Sequence, residues 1–325
     1  MHTTIQRHIS KREREVLELV AHEYTTLEIA SRLYLSTHTV DSHKKKLKLK
    51  LNVKNTAGMV RRGFELGLLK LGATASYRMM SALLLALITI GQLSAQRPLI
   101  LTFETSVPDE KVVIPVQPGF DYDYQVDWDG DGGFDETFTG EASHVYATPG
   151  AHKINITGDF PSIYFNNRSE ASLLIAIDQW GDIKWQSMNN AFYGASKMKY
   201  LATDEPNLST VSNMSGIFRA CSSFDGDLSG WDVSTITSMS FAFLDATLFN
   251  GNVSTWDTRN VEFMGSVFDG ATSFNQNISQ WDLSNVVNTS GMFQDATEFN
   301  QPVGDWDVSM VGNMASMFRG ATSFN

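Results

Sequence analysis

Three groups of charged side chains stand at spacings that could do chemistry. Lys44, Lys45 and Lys46 are consecutive, with Lys48 and Lys50 just beyond. So many ammonium groups on one short segment could neutralise a phosphate backbone. Asp127, Asp129 and Asp131 alternate, followed by Gly132 and Asp135. Carboxylates on alternate residues beside a glycine echo a loop that surrounds Ca²⁺ with oxygen ligands. Phe138 stands where such a loop needs its bidentate glutamate, so a Gly/Asp-rich hairpin turn is the preferred reading and calcium the minority one. Asp232, Asp257, Asp282 and Asp307 each follow a tryptophan, 25 residues apart. On strands stacked in register they would lie about 5 Å from one another and repel by about 1 kcal/mol in water. Either each Asp bonds locally, with Ser234, Ser284 and Ser309 placed for it, or the row binds a basic ligand or cations. The local role ranks first, and Arg259, which breaks the pattern, marks with these aspartates the best ligand-binding patch.

Enzyme chemistry has little to stand on. Beyond residue 78 the histidines are His144 and His152, and the single cysteine is Cys221. One cysteine excludes a disulfide framework and a cysteine-based zinc finger. No nucleophile–base spacing, phosphate loop or paired catalytic carboxylate stands out.

The charge is divided along the chain. Of 325 residues, with a formal net charge of -11, residues 1–78 carry 15 Lys+Arg and 7 Asp+Glu, and residues 79–325 carry 10 and 29. A basic head and an acidic body predict two kinds of partner.

Positioning the lysines requires helices. Ser10-Lys11-Arg12-Glu13 and Thr25-Thr26-Leu27-Glu28 are capping boxes, and Ser36 can cap a third helix. Val16, Leu17 and Val20, then Ile29, Ala30 and Leu33, then Val40, Leu47 and Leu51 give each helix an apolar face. The alternative is a small bundle with a solvated lysine face. The lysines sit on the helix that follows a turn, which favours a helix-turn-helix with that helix in the major groove.

Arg12-Glu13-Arg14-Glu15-Val16-Leu17, Glu28-Ile29-Ala30, Leu33, Ser36, Thr39-Val40, His43, Lys50-Leu51 and Val53 resemble the LuxR/GerE-type DNA-binding domain over residues 7–70. The resemblance implies a recognition helix from Thr37 to Lys50, with Asp41, Ser42 and Lys45 facing base edges. Thr39, His43, Lys44, Lys46 and Lys50 complete the expected DNA-binding set, His43 as a packing or phosphate-contact residue rather than a metal ligand. It also implies dimerisation and duplex DNA as the partner of residues 1–72. Asp41 departs from the family's basic or neutral residue and could accept from cytosine N4. Glu23 replaces the usual glycine of the first turn.

Residues 79–96 carry no charge and follow Arg78. Begun at Met79 or Met80, this segment reads as a secretory signal ending near Ala95; begun at Met1, it reads as a marginal membrane span, short against about 20 apolar residues. Either reading of residues 73–97 puts the acidic body outside the cytoplasm, at the cell surface, with residues 1–72 inside it. A buried core helix ranks third.

Residues 98–166 alternate as strands around Val112-Val113-Ile114, Tyr122–Val126 and Lys153–Ile156, with turns at Gln117-Pro118-Gly119 and Thr148-Pro149-Gly150, which predicts a small β-sandwich. Val126–Gly132, His144-Val145-Tyr146 and Pro149-Gly150 resemble a PKD-type module.

From residue 167 the chain repeats. Trp231, Trp256, Trp281 and Trp306 recur every 25 residues, as do Phe218, Phe243, Phe268, Phe293 and Phe318, and Phe224, Phe249, Phe274, Phe299 and Phe324. Trp180 and Phe192 open the series of six units and Pro206 takes one tryptophan position. This periodicity predicts a solenoid: a short strand at Trp281–Leu283, a helical turn over Asn288–Phe293, and a ladder of Asn250, Asn275, Asn300 and Asn325 at the bends, with Asp225 as its first rung. Cys221 falls at the place of Ala271 and reads as core.

Trp-Asp-Val-Ser at 231–234 and 306–309, Trp-Asp-Leu-Ser at 281–284 and Ala-Thr-Ser-Phe-Asn at 271–275 and 321–325 resemble BspA-type leucine-rich repeat surface proteins, over residues 100–325. The resemblance implies a non-enzymatic surface or secreted module whose partner is a host, matrix or surface protein. The last unit carries no polar cap, which predicts a C-terminally truncated array. The expected fold is thus multidomain: an all-α helix-turn-helix head, a PKD-like β-sandwich and a leucine-rich-repeat-like solenoid. No cofactor beyond the minority calcium is expected. The chain reads either as a DNA-binding head fused to a surface protein, by gene fusion or a mis-joined frame, or as a membrane-anchored regulator with an external sensor.

Overall fold

The computed structural model describes residues 9–22, 24–69 and 96–325. Glu23 and the apolar junction of residues 79–95 lie outside the described residues. Among the described residues no helix is long and apolar enough to cross a membrane. The chain divides into two compact units, Met1–Gln92 and Leu93–Asn325.

In the first unit the helices are α1 (Lys11–Ala21), α2 (Thr26–Leu33), α3 (Thr37–Leu51) and α4 (Thr56–Glu65). Both capping boxes form: Ser10 and Thr25 accept the N3 amide protons while Glu13 and Glu28 reach back to the cap amides. Ser36 accepts from Thr39 N and starts α3. Asn55, which caps α4, is a start that the sequence reading did not single out. Tyr34 ends α2 and Asn52 ends α3, both left-handed. The apolar faces meet in one core containing Val16, Leu17, Ile29, Val40, Leu47, Leu51 and Met59.

Glu13 does more than cap. Only 3 % exposed, its carboxylate takes the Lys50 ammonium at 2.8 Å on both oxygens and so ties the start of α1 to the end of α3. Burial alone would raise its pKa, but hydrogen bonds from Lys50 and Ser10 outweigh that and hold it below the usual carboxylate range.

The second unit opens with two sheets. The larger has the order β4-β3-β6-β1-β7-β8, from β1 (Leu99–Thr105), β3 (Asp123–Asp127), β4 (Glu136–Phe138), β6 (Gly150–Asp159), β7 (Leu174–Gln179) and β8 (Lys199–Tyr200); the smaller pairs β2 (Glu110–Ile114) with β5 (Ala142–Tyr146). β1 is central, antiparallel to β6 with Leu99 opposite Ile156 and antiparallel to β7 with Leu101 opposite Ile177. Thus β7 and β8, from the start of the repeats, complete the sheet, and one core runs from Leu99 to Met317.

The repeats then stack by main-chain bonding. Met239, Phe241, Phe243 and Asp245 donate their N–H groups to Phe263, Gly265, Val267 and Asp269, and Met264, Ser266, Phe268 and Gly270 donate in turn to Asn288, Ser290, Met292 and Gln294. Parallel bridges join Asn213, Ser238, Phe263, Asn288 and Asn313. Two left-handed residues four apart turn every unit: Asn190 and Gly194, Gly216 and Ala220, Phe241 and Asp245, Ser266 and Gly270, Gly291 and Asp295, Ser316 and Gly320. A left-handed non-glycine costs about 1–2 kcal/mol, and each unit except that of Phe241 and Asp245 has a glycine at one corner.

Inside, Phe268 stacks on Phe274 of its own unit at 3.7 Å and on Phe243 and Phe293 of its neighbours at 5.5 and 5.7 Å. Trp256, Trp281 and Trp306 donate their indole N–H groups to the carbonyls of Leu228, Val253 and Ile278 in the preceding unit, Trp180 and Trp231 donate to Tyr200 Oη, and the buried Nε1 atoms of Trp128 and Trp185 have no partner. The asparagine ladder forms at the bends, where Asp225, Asn250, Asn275 and Asn300 each accept the main-chain N–H of the residue 25 later. Two details differ from expectation. Trp281–Leu283 is not a strand; turns at Ser279–Gln280 and Ser284–Asn285 bracket it, because the stacking bonds are made at the bridge residues instead. Residues 290–295 form bonded turns rather than a helical turn, since left-handed Gly291 and Asp295 break helical propagation.

Two predictions follow from this packing. Thr289 is fully buried at a place that Met239, Met264 and Met314 occupy in other units, and its hydroxyl has no partner. Thr289→Val keeps the shape and removes the orphan, so stability in urea should rise by about 1 kcal/mol. Glu13 has a lower pKa folded than unfolded, so its contribution is present above its unfolded value and is lost as pH falls through the folded one. Glu13→Gln should therefore destabilise the first unit at neutral pH and flatten its melting temperature between about pH 5 and 3, followed by circular dichroism at the helix band.

Candidate nucleic-acid interface

The three caps and the α2–α3 turn fix which side of α3 faces water. Val40, Leu47 and Leu51 turn inward, and His38, Asp41, Ser42, Lys45 and Leu49 lie exposed at helical spacing on the other side. Of the residues singled out from sequence, Asp41, Ser42 and Lys45 share this exposed face, and Lys46 is exposed beside it.

The flanks are tethered. Lys44 Nζ donates to Thr26 Oγ1 at 2.8 Å, and Thr26 Oγ1 lies 3.4 Å from Asp41 Oδ1, so Thr26 at the start of α2 is held against α3. Thr39 Oγ1 lies 2.8 Å from Ser36 Oγ, within the cap. His43 Nδ1 is buried without a partner, which makes it a packing residue in this arrangement. Lys50, expected among the phosphate contacts, instead spends its ammonium on Glu13. The exposed basic groups of α3 not drawn into the Glu13 pair are thus Lys45 and Lys46, with Lys44 and Lys48 half-buried on the flanks. Thr26 was missed by sequence reasoning; its only signal was its place one residue after a cap.

The acidic hairpin turns its carboxylates onto its own main chain, while the buried Trp128 Nε1 and Asn155 Oδ1 have no partner. Asp127 accepts from Gly130 N and Gly132 N and from Asn155 Nδ2, at 2.8, 2.9 and 2.7 Å. Burial would raise its pKa, but these bonds hold it below the usual range. Asp135 accepts from Trp128 N and Asp129 from Asp131 N. Ligand oxygens of Asp127, Asp129 and Asp135 lie within 4.8 Å of one another, and Asp131 stands outside that group. The hairpin carboxylates thus bond main-chain N–H groups, and three of them also present oxygens close enough together to hold one cation.

The aspartates after the tryptophans are bonded locally too. Asp232, Asp282 and Asp307 accept the N–H of Ser234, Ser284 and Ser309, and the Ser234 hydroxyl adds a second bond to Asp232. Those bonds, the serine side chain first, lower the pKa of all three. Asp257 takes both Arg259 N and Arg259 Nε, so the arginine substitutes for the serine of the other units. Cys221 is buried, and burial pushes its thiol well above the usual range, so it is not a nucleophile.

Comparison with known proteins separates the two halves of the chain. Residues 7–62 match the family described as bacterial regulatory proteins, luxR family. The spore germination protein GerE of Bacillus subtilis is 43% identical over 63 residues, 19% of this chain and 85% of that protein. The oxygen regulatory protein NreC of Staphylococcus carnosus is 44% identical over 52 residues, and that of Staphylococcus epidermidis 42%, in each case 16% of this chain. The chain spans about a quarter of the length of these NreC relatives. Three overlapping matches, over 162–261, 186–289 and 248–325, fall to the family described as Mycoplasma protein of unknown function, DUF285. No solved structure matches. With a capped four-helix head matched along most of GerE and repeats matched over half of this chain, the chain belongs to the luxR family of bacterial regulatory proteins through residues 7–62 and to the DUF285 family through residues 162–325.

Proposed function

We propose that the first unit binds duplex DNA as a transcription regulator, with α3 in the major groove. The observation that carries this reading is the exposed face of α3, where Ser42 and Lys45 can reach base edges while Lys44 and Lys46 flank them as phosphate contacts. Asp41, held beside Thr26, faces the same groove as an acceptor and disfavours a phosphate there. Two copies would bind two half-sites as a dimer.

The repeats carry a second, non-enzymatic role. We read residues 167–325 as a leucine-rich-repeat-like solenoid of the BspA type that binds a protein partner, and residues 98–166 as a PKD-like module. The stacked units support this by holding their exposed side chains at a fixed spacing on a rigid core. A place at the cell surface for residues 98–325 rests on the resemblance and on the uncharged junction; the same junction, left uncleaved, would anchor a regulator in the membrane.

The head reading is tested by salt-dependent binding of the chain to duplex DNA. Lys44→Ala with Lys46→Ala should weaken binding to every sequence, by tenfold or more at about 100 mM salt, and reduce the slope of log affinity against log salt by about 2. Asp41→Asn should change which sequences are preferred more than it changes the slope. Binding whose slope ignores the double lysine change would sink the groove assignment.

A further inference from the structure

The stack contains its own control, because equivalent positions in successive units show what the fold demands. At the first left-handed corner the units carry Asn190, Gly216, Phe241, Ser266, Gly291 and Ser316. At the bridge position they carry Asn213, Ser238, Phe263, Asn288 and Asn313. Each row is small or polar but for one phenylalanine. Neither ring is core: Phe241 is 43% exposed and Phe263 42%. Phe241 also occupies the corner where the backbone favours glycine, in the one unit that has glycine at neither corner. Other units fill both positions without an aromatic side chain, and strain of the kind at Phe241 gathers at functional positions.

The two rings stand on consecutive coils. Phe263 bridges Ser238, three residues before Phe241 on the preceding coil, so the two phenylalanines stand on adjacent coils. Arg219 of the preceding coil lies 5.7 Å over the Phe241 ring and 4.5 Å over Tyr193, which holds that end of the patch.

Charge identifies the occupant. Residues 219–318 carry 12 Asp and Glu against two basic residues, Arg219, which lies over the Phe241 ring, and Arg259, which is paired with Asp257. Glu262 precedes Phe263, and Asp245 and Asp269 are bonded neighbours at the far corner of the same two coils. Burial first, and then the charges of Asp245 and Asp295, raise the pKa of Asp269. We propose that Phe241 and Phe263, with their acidic rim, form a docking site for a cationic protein segment that presents two large apolar side chains about three residues apart among Lys or Arg. The proposal rests on the reading of the repeats as a protein-binding module and names the face and the partner chemistry.

The test uses the full chain and two dye-labelled ten-residue peptides, followed by fluorescence anisotropy at physiological salt. One has eight lysines and two phenylalanines three residues apart; in the other, serines replace the phenylalanines. The phenylalanine peptide should bind at least tenfold tighter. Phe241→Gly with Phe263→Ser should abolish that difference while the melting temperature holds or rises, since both changes restore residues that other units use. Asp257→Asn with Asp282→Asn, on a different row, should alter binding less than twofold. Equal binding of the two peptides, or unchanged binding by the double phenylalanine variant, would overturn the proposal. If only the Asp257/Asp282 variant loses binding, this face is wrong and the protein-binding reading survives; if neither peptide binds at all, both fall.

Discussion

The second unit depends on one geometric constraint: each coil must offer its main-chain donors to the next at a constant register. Alternate N–H groups of one coil meet carbonyls 24 residues later, and this holds from Met239 through Asp295. A main chain that bonds every second group to a neighbour cannot also turn through a closed loop unless its corners leave the ordinary backbone regions. The paired left-handed residues supply those corners in every unit. The 25-residue period is the chain length that closes one such loop, and the rows of Trp, Phe and Asn are consequences of it. Side chains fixed at one register must meet their own kind, so rings stack on rings and amides bond the next amide's backbone.

This constraint also explains where negative charge is tolerated. An aspartate repeated every coil would repel its neighbours if its carboxylate were free. After each tryptophan the carboxylate is instead turned onto the N–H two residues on, and where serine is missing Arg259 supplies the compensating cation. Asp269 has a weaker arrangement, with a Ser266 hydroxyl bond against the charges of Asp245 and Asp295, and burial and charge together push its pKa upward. The acidic body is thus a set of locally satisfied rows with one crowded corner at Asp245, Asp269 and Asp295.

The first unit works by different physics. Its helices are short, and short helices need their ends bonded. Ser10, Thr25, Ser36 and Asn55 each cap a helix through a side-chain oxygen. The Glu13–Lys50 pair then fixes the end of α3 against the start of α1, so the helix that presents Ser42 and Lys45 is held at both ends, by Ser36 and by Lys50. A lysine drawn into the scaffold and lysines left in water come from the same run of sequence.

Local signals were legible because they act over a few residues. The capping boxes, the apolar faces of α1 to α3, the strands around Val112–Ile114 and Lys153–Ile156, and the asparagine ladder could each be read directly, since bonding partners three or 25 residues apart are set by spacing alone. What the sequence could not decide depends on distant partners or on backbone geometry. Lys50 looks like any other lysine of its run until α1 brings Glu13 to it. Trp281–Leu283 alternates like a strand, yet the bonds that stack the coils are made at Asn288, so the alternation buries side chains without pairing main chain. The left-handed corners carry Asn, Gly, Ala, Phe, Asp and Ser and therefore show no residue pattern, because what recurs there is a torsion angle demanded by closure of the loop. Phe241 and Phe263 look like two more members of an aromatic repeat, and only the exposure of their rings in the folded stack separates them from the core.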